Sequence, residues 1–217
     1  MKHKKRIFAV AVWALLLLGI LPAHGKSMAA LWLTMPDSVT PSLDASGRKA
    51  MADASSMQPN HNISNALDGE SSIDTLTSGY LHATLSSSYE VALRRLPYDS
   101  GDSIVCLVST WGGEAGESQV SFYNQDWQPL PGKHLPDVLR KDFLKQFLNT
   151  ESGLSAERRD SLLSLLDPLM CSARLSATDD GIVLRLSTAL LSQSAEKSIA
   201  PFLRSVTLKW DGHEFKF

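Results

Sequence analysis

The sequence predicts an α+β protein: an antiparallel sheet with helices on one face. Three features point there. From Ile73 onward the chain falls into short segments of alternating polarity, these are separated by Gly, Ser, Asp and Asn, and helical stretches precede two separate runs of them. Period-two alternation bounded by turn residues is the pattern of antiparallel strands with one buried face.

Taken in order, "MKHKKR" is basic, Ile7 to Leu21 is an almost unbroken apolar run, and "PAHGK" follows with small residues. This is the three-part pattern of a secretory signal peptide, with cleavage expected after Gly25. The apolar run is shorter than the roughly 20 residues of a membrane-spanning helix, and no Cys follows it to carry a lipid. The expected product is a periplasmic or secreted chain without a membrane span. Cleavage removes four of 21 basic side chains and none of 23 acidic ones, leaving a net charge of about −6. The remaining basic residues are scattered, which argues against a nucleic-acid or anionic-membrane surface.

"MAALWLTM" predicts a short helix ended by Pro36, and "PSLDASGRKAMADASSM" a second helix of weak periodicity, followed by a loop around "QPNHN". Strands are then expected at "IDTL", "YLHATLS", "YEVALRRL", "DSIVCLVST" and "SQVSFY". Ile104 to Val108 is apolar at every position, so that strand should be central and covered on both faces. "LPDVLRKDFLKQFLNTESG" predicts a helix with Leu139, Phe143 and Phe147 on one face. Another begins near Ser155 and runs toward Pro168. Strands return at "CSARLS", "GIVLRLS", "RSVTLKW" and "HEFKF", with "LLSQSAEKSIAPF" as a longer, partly helical connection.

This order suggests two tandem helix-plus-four-strand units, residues 26–134 and 135–217, after a leader at 1–25. "HATLSSSYEVALRRL" lies over "SARLSATDDGIVLRLS", and "SQVSFYNQDWQPL" over "RSVTLKWDGHEFKF". That alignment matches two-residue turns at Gln125-Asp126 and Asp211-Gly212. Side by side, the units would present a broad open sheet face. The layout is similar to that of the β-lactamase inhibitor proteins, a likeness of architecture that does not fix function.

The motifs that carry chemistry are weak. "SAEK", Ser194 to Lys197, has the Ser-x-x-Lys spacing of penicillin-recognising enzymes but lacks their companion motifs. "YDSGDS" clusters two carboxylates without EF-hand spacing and suits a hairpin turn. The Gly-rich "TWGGEAG" follows a strand and reads as a hairpin loop. The histidines are dispersed, and neither Cys106 nor Cys171 has a second ligand at metal spacing, so no metal or cofactor is expected. In an exported chain those cysteines are open to two readings, a disulfide or two buried free thiols.

Trp111, Tyr123, Trp127 and Trp210 are the candidate binding residues, because exposed aromatic rings anchor protein partners or stack on sugars. They are equally at home packing a strand end, and a Trp flanks the tight turn in both units.

The succession "LWLTMPDSVTPSL", "DTLTSGYLHATLS", "GDSIVCLVST" and "ESQVSFYNQDWQPL" resembles an exported family of Bacteroides-type bacteria, domain of unknown function 3256. The resemblance spans nearly the whole chain after the leader. It implies a cell-envelope setting and supplies no activity or catalytic residues. The expected function is therefore a non-catalytic binding module of the envelope, contacting a protein partner. Two alternatives stand beside it: a hydrolase of envelope polymers assembled from Asp102, Glu114 and His213, and glycan binding through exposed Trp111, Trp127 and Trp210. Oligomeric state is not legible in the sequence.

Overall fold

The computed structural model describes residues 25–58, 61–65, 69–98, 101–149 and 153–217, so the leader at 1–24 and its expected role lie outside the described residues. Helices α1 (Met28–Thr34) and α2 (Ala45–Met57) come first. Ser27 caps α1 by accepting from the Ala30 N–H, and Asp44 caps α2 by accepting from the Gly47 N–H, each satisfying an otherwise orphaned donor. Six strands follow: β1 (Ile63–Ser64), β2 (Glu70–Leu76), β3 (Tyr80–Ser86), β4 (Tyr89–Pro97), β5 (Ser103–Trp111) and β6 (Glu117–Tyr123). They form one antiparallel meander in sequence order.

The second half contributes α3 (Lys141–Leu144), α4 (Ala156–Leu163), β7 (Cys171–Leu175), β8 (Gly181–Leu186), α5 (Gln193–Ile199), β9 (Val206–Trp210) and β10 (Phe215–Lys216). Its four strands make a separate antiparallel sheet. Of the helix expected from Leu135 to Gly153, the described residues form α3 and a 3-10 turn, Lys145–Phe147. One reason is local: Arg140 is extended, and no side chain caps the start of α3.

The two sheets do not lie side by side. One face of the large sheet carries Leu81, Ala83, Val91, Leu93, Val105 and Leu107, and packs against Leu31, Trp32, Met35 and Met51 of the N-terminal segment. Its other face carries Ala92, Ile104, Cys106 and Val108, and packs against Ile182, Leu184, Leu208 and Phe215 of the small sheet. The molecule is thus three layers: helices, large sheet, small sheet. Residues Ile104 through Ser109 of β5 are all buried, as its unbroken apolar run requires.

This arrangement corrects two expectations. The broad open face is absent, because both faces of the large sheet are covered. The strand counts are six and four, and α5 interrupts the smaller sheet, so the units are not matched helix-plus-four-strand repeats. Along the chain the six strands of the large sheet precede the 134/135 boundary and the four of the small sheet follow it, and the two sheets share a core.

Directional contacts also fix the layers. The Trp127 indole N–H donates to the Leu31 carbonyl at 3.1 Å, and that of Trp32 to the Arg48 carbonyl at 3.0 Å. Arg94 and Arg95 point to opposite faces of β4. Arg94 binds Asp180 through Nη2 at 2.9 Å and the Ala177 carbonyl at 3.1 Å, clamping the β7–β8 turn to the large sheet. Arg95 reaches the Lys26 carbonyl at 3.1 Å on the helical side.

The turn after β6 also departs from expectation. The Asn124 N–H bonds the Gln128 carbonyl, so Gln125 to Trp127 form a three-residue loop and Trp127 takes a positive φ of 61°. A type I turn closed by a left-handed residue is a common hairpin device, but a bulky side chain there is costly. Burial of the indole in the helix-side core offsets that cost. In the second unit the turn moves on by one residue: Trp210 pairs with Phe215, leaving Gly212 at φ 111° and His213 between Asp211 and Glu214.

Cys106 and Cys171 are free thiols, both buried in the intersheet core, so the disulfide reading is not realised. Burial pushes both thiols up, Cys171 to about 11.

Two measurements check this picture. Trp127→Ala should lower unfolding free energy by about 3–5 kcal/mol in urea titrations, whereas Trp127→Phe, which keeps a ring but strands the Leu31 carbonyl, should cost about 1–3 kcal/mol. Thiol titration with Ellman's reagent, without reductant, should find both cysteines silent in the native protein and both reactive in denaturant.

Candidate functional site

The helices do not cover the whole of the large sheet. Along β5, residues facing α1 and α2 run Val105, Leu107, Ser109, Trp111, changing from aliphatic to polar and aromatic. Register places Ser109 opposite Val91 and Gln119, and Ser121 opposite Leu107. At this corner lies a groove of about 590 Å³, within the usual range for small-ligand sites.

Its floor comes from β4–β6: Tyr89, Ser109, Trp111, Gln119, Ser121 and Tyr123. Ser38, Val39, Pro41 and Ser42 of the α1–α2 connection form one wall, and Asn65, Leu85, Ser86 and Ser88 complete the rim. Among the described residues no charged side chain lines it. Tyr89 and Trp111 stack in parallel, ring centroids 5.1 Å apart and planes 4° apart. Trp111 keeps 42% of its surface exposed. Burial raises the Tyr89 phenol above its ordinary range, partly offset by a hydrogen bond with Ser109.

The wall is held by a buried cation. Arg48, on α2, is 1% exposed; it donates from Nη1 to the Leu43 carbonyl at 2.7 Å and from Nη2 to Asp37 at 2.8 Å. It thereby closes the connection from Asp37 to Leu43 into a fixed loop.

The four aromatic candidates separate. Trp111 and Tyr123 reach the groove. Trp127 (5% exposed) sits in the helix-side core, its ring 5.4 Å from Tyr123. Trp210 (8% exposed) sits in the intersheet core on the opposite side, donating to the Pro97 carbonyl at 2.6 Å. Two of the four rings are thus packing residues, and a shared platform of Trp111, Trp127 and Trp210 does not form. Tyr89, Ser109, Gln119 and Ser121 were not foreseen. The signal lay in β5, where aliphatic residues give way to Ser109 and Trp111 on one face.

Nor do Asp102, Glu114 and His213 converge. Asp102 precedes β5 and Glu114 follows it, at opposite ends of a nine-residue strand spanning roughly 27 Å; the Glu114 side chain lies outside the described residues. His213 is at the Asp102 end, its ring 5.6 Å from Tyr98. Ser194 and Lys197 lie exposed on the surface helix α5, where the Ser194 hydroxyl bonds Ser192.

A titratable cluster occurs elsewhere, in a cleft of about 390 Å³ between β3–β5 and the edge of β7. His82 Nδ1 lies 2.9 Å from Asp74 Oδ2, and Nε2 lies 3.3 Å from Glu90 Oε2. Asp74 also accepts from Thr84 at 2.8 Å and Ser72 at 2.6 Å. Both ring nitrogens and both Asp74 oxygens are therefore engaged within the cluster. Among the described residues no group of three or more His, Cys, Asp and Glu is arranged to hold a metal ion, and no helix is long and apolar enough to cross a membrane.

With fold and groove in place, comparison with known proteins identifies the family. The chain belongs to the family described as protein of unknown function (DUF3256), whose model matches residues 20–215. A solved structure of a domain of an uncharacterized protein from Porphyromonas gingivalis W83 has a similar fold. The TM-score is 0.70 at 20% identity, covering 88% of this chain and 98% of that one. No curated protein matches.

Replacing Arg48 by Met should release the groove wall. Hydrogen exchange should accelerate across residues 37–43, and stability should fall by about 1.5–3 kcal/mol, the range for hydrogen bonds to a charged group.

Proposed function

We propose that this protein is a non-catalytic binding module of the bacterial cell envelope, exported by its N-terminal leader, and that its partner sits in the groove beside Trp111. The observation that carries this reading is the groove's composition: an aromatic pair and neutral polar side chains on a rigid sheet, without a charged group among the described residues. Such a surface can hold a ligand, and among the described residues it offers no carboxylate, imidazole, amine or thiol for bond cleavage. The hydrolase alternative draws little support from the second cleft, because the polar atoms of Asp74 and His82 are largely spent on one another.

The test is capture from native envelopes on immobilised protein, comparing wild type with Ser121→Arg, which places a charge in the groove, and with Arg185→Ala on the far face of the small sheet. Components retained by wild type and Arg185→Ala but lost with Ser121→Arg support the reading. Equal retention by all three, or release of cut polymer that stops with His82→Asn, would overturn it. Export itself is checked by intact mass: protein recovered from the envelope fraction should lack residues 1–25.

A further inference from the structure

We infer that the groove ligand is a neutral glycan, one of whose sugar rings stacks on Trp111. This deepens the binding reading above and rests on it. Three observations select a sugar.

The first is the state of the lining side chains. Among the described residues, the hydroxyls of Ser38, Ser42, Ser88 and Ser121 and the amide of Gln119 have no hydrogen-bond partner within the protein. Each hydroxyl both donates and accepts, and the Gln119 amide does so through separate atoms. That versatility matches sugar hydroxyls, which also do both.

The second is the aromatic pair. One indole face of Trp111 lies flat on Tyr89, which fixes the ring plane, while the residue remains 42% exposed. A fixed, exposed ring offers apolar area at little entropic cost, and suits the C–H face of a pyranose. Trp111 also ends its strand, where a ligand can approach from the side.

The third is what the groove lacks. Among the described residues it has no cation for a uronate, sulfate or phosphate and no anion for an amino sugar with a free ammonium group. It lies over the face of the sheet and reaches side chains of the edge strand β6. The groups offered are side-chain hydroxyls and amides, not the row of backbone N–H and C=O that adds a peptide strand. A protein segment is therefore the less favoured occupant.

The experiment is binding of wild-type protein to an array of short neutral oligosaccharides: glucans, mannans, xylans and N-acetylglucosamine oligomers. Polygalacturonate and a random peptide set serve as comparisons. Hits are followed by Trp fluorescence titration. The expected result is saturable binding to at least one neutral glycan, weakened about ten-fold or more by Trp111→Ala, as for an aromatic anchor at the centre of a site, and weakened measurably by the milder Gln119→Ala. Circular dichroism and melting temperature confirm that each variant is folded. Neutral-glycan binding that Trp111→Ala leaves unchanged overturns the inference. Binding only to peptides overturns it while leaving the binding-module reading intact; binding only to polygalacturonate overturns the claim of neutrality. If nothing on the array binds and envelope capture also shows no groove-dependent partner, both readings fail together.

Discussion

The structure depends on one constraint: β5 is apolar on both faces and must be covered from both sides. Ile104, Cys106 and Val108 project one way, and Val105 and Leu107 the other. Each large aliphatic side chain gains about 1.5–3 kcal/mol from full burial, so a sheet left open on either side would forfeit much of its stability. Two N-terminal helices cover one face and a second sheet covers the other. The second half of the chain therefore completes the core of the first instead of repeating it beside it.

Covers made of apolar contacts alone can slide, and the directional bonds are placed where sliding would occur. Trp127 ties α1 to the turn after β6 at the cost of a left-handed backbone, and Trp32 ties α1 to α2. Arg94 and Arg95 are sequence neighbours that clamp different layers, because successive strand residues face opposite ways. Arg48 fixes the loop between the helices. The helical cover ends short of the β4–β6 corner, and the groove occupies what it leaves.

The two faces also divide the polar chemistry. On the small-sheet side, charged groups meet one another: Asp74 with His82, His82 with Glu90, and Arg94 with Asp180. On the helical side the groove is uncharged among the described residues, and several of its hydroxyls have no partner among them. Satisfied charges stiffen a structure, whereas unpartnered neutral groups beside a fixed aromatic ring remain available to something outside it.

Much of the fold was legible in the residues. The order of helices and strands, the stop at Pro36, the helix start near Ser155 and the interior position of β5 follow from periodicity and turn chemistry, which are local. Period two also implies that Ser109 and Trp111 share a face with Val105 and Leu107. What local patterns cannot report is which layer meets which face, or where a cover ends. Trp111 and Trp127 are chemically alike, and each stands beside a turn. Only the reach of α1 decides that one is core and the other exposed. Likewise Asp74, His82 and Glu90 are brought together by hairpin register, and a single-residue slip would send His82 to the other face. The sequence alone determined that there is an antiparallel sheet and that one strand of it, β5, needs cover on both faces. Tertiary packing decided what covers it and which corner stays open, because burial depends on contacts between segments far apart in the chain.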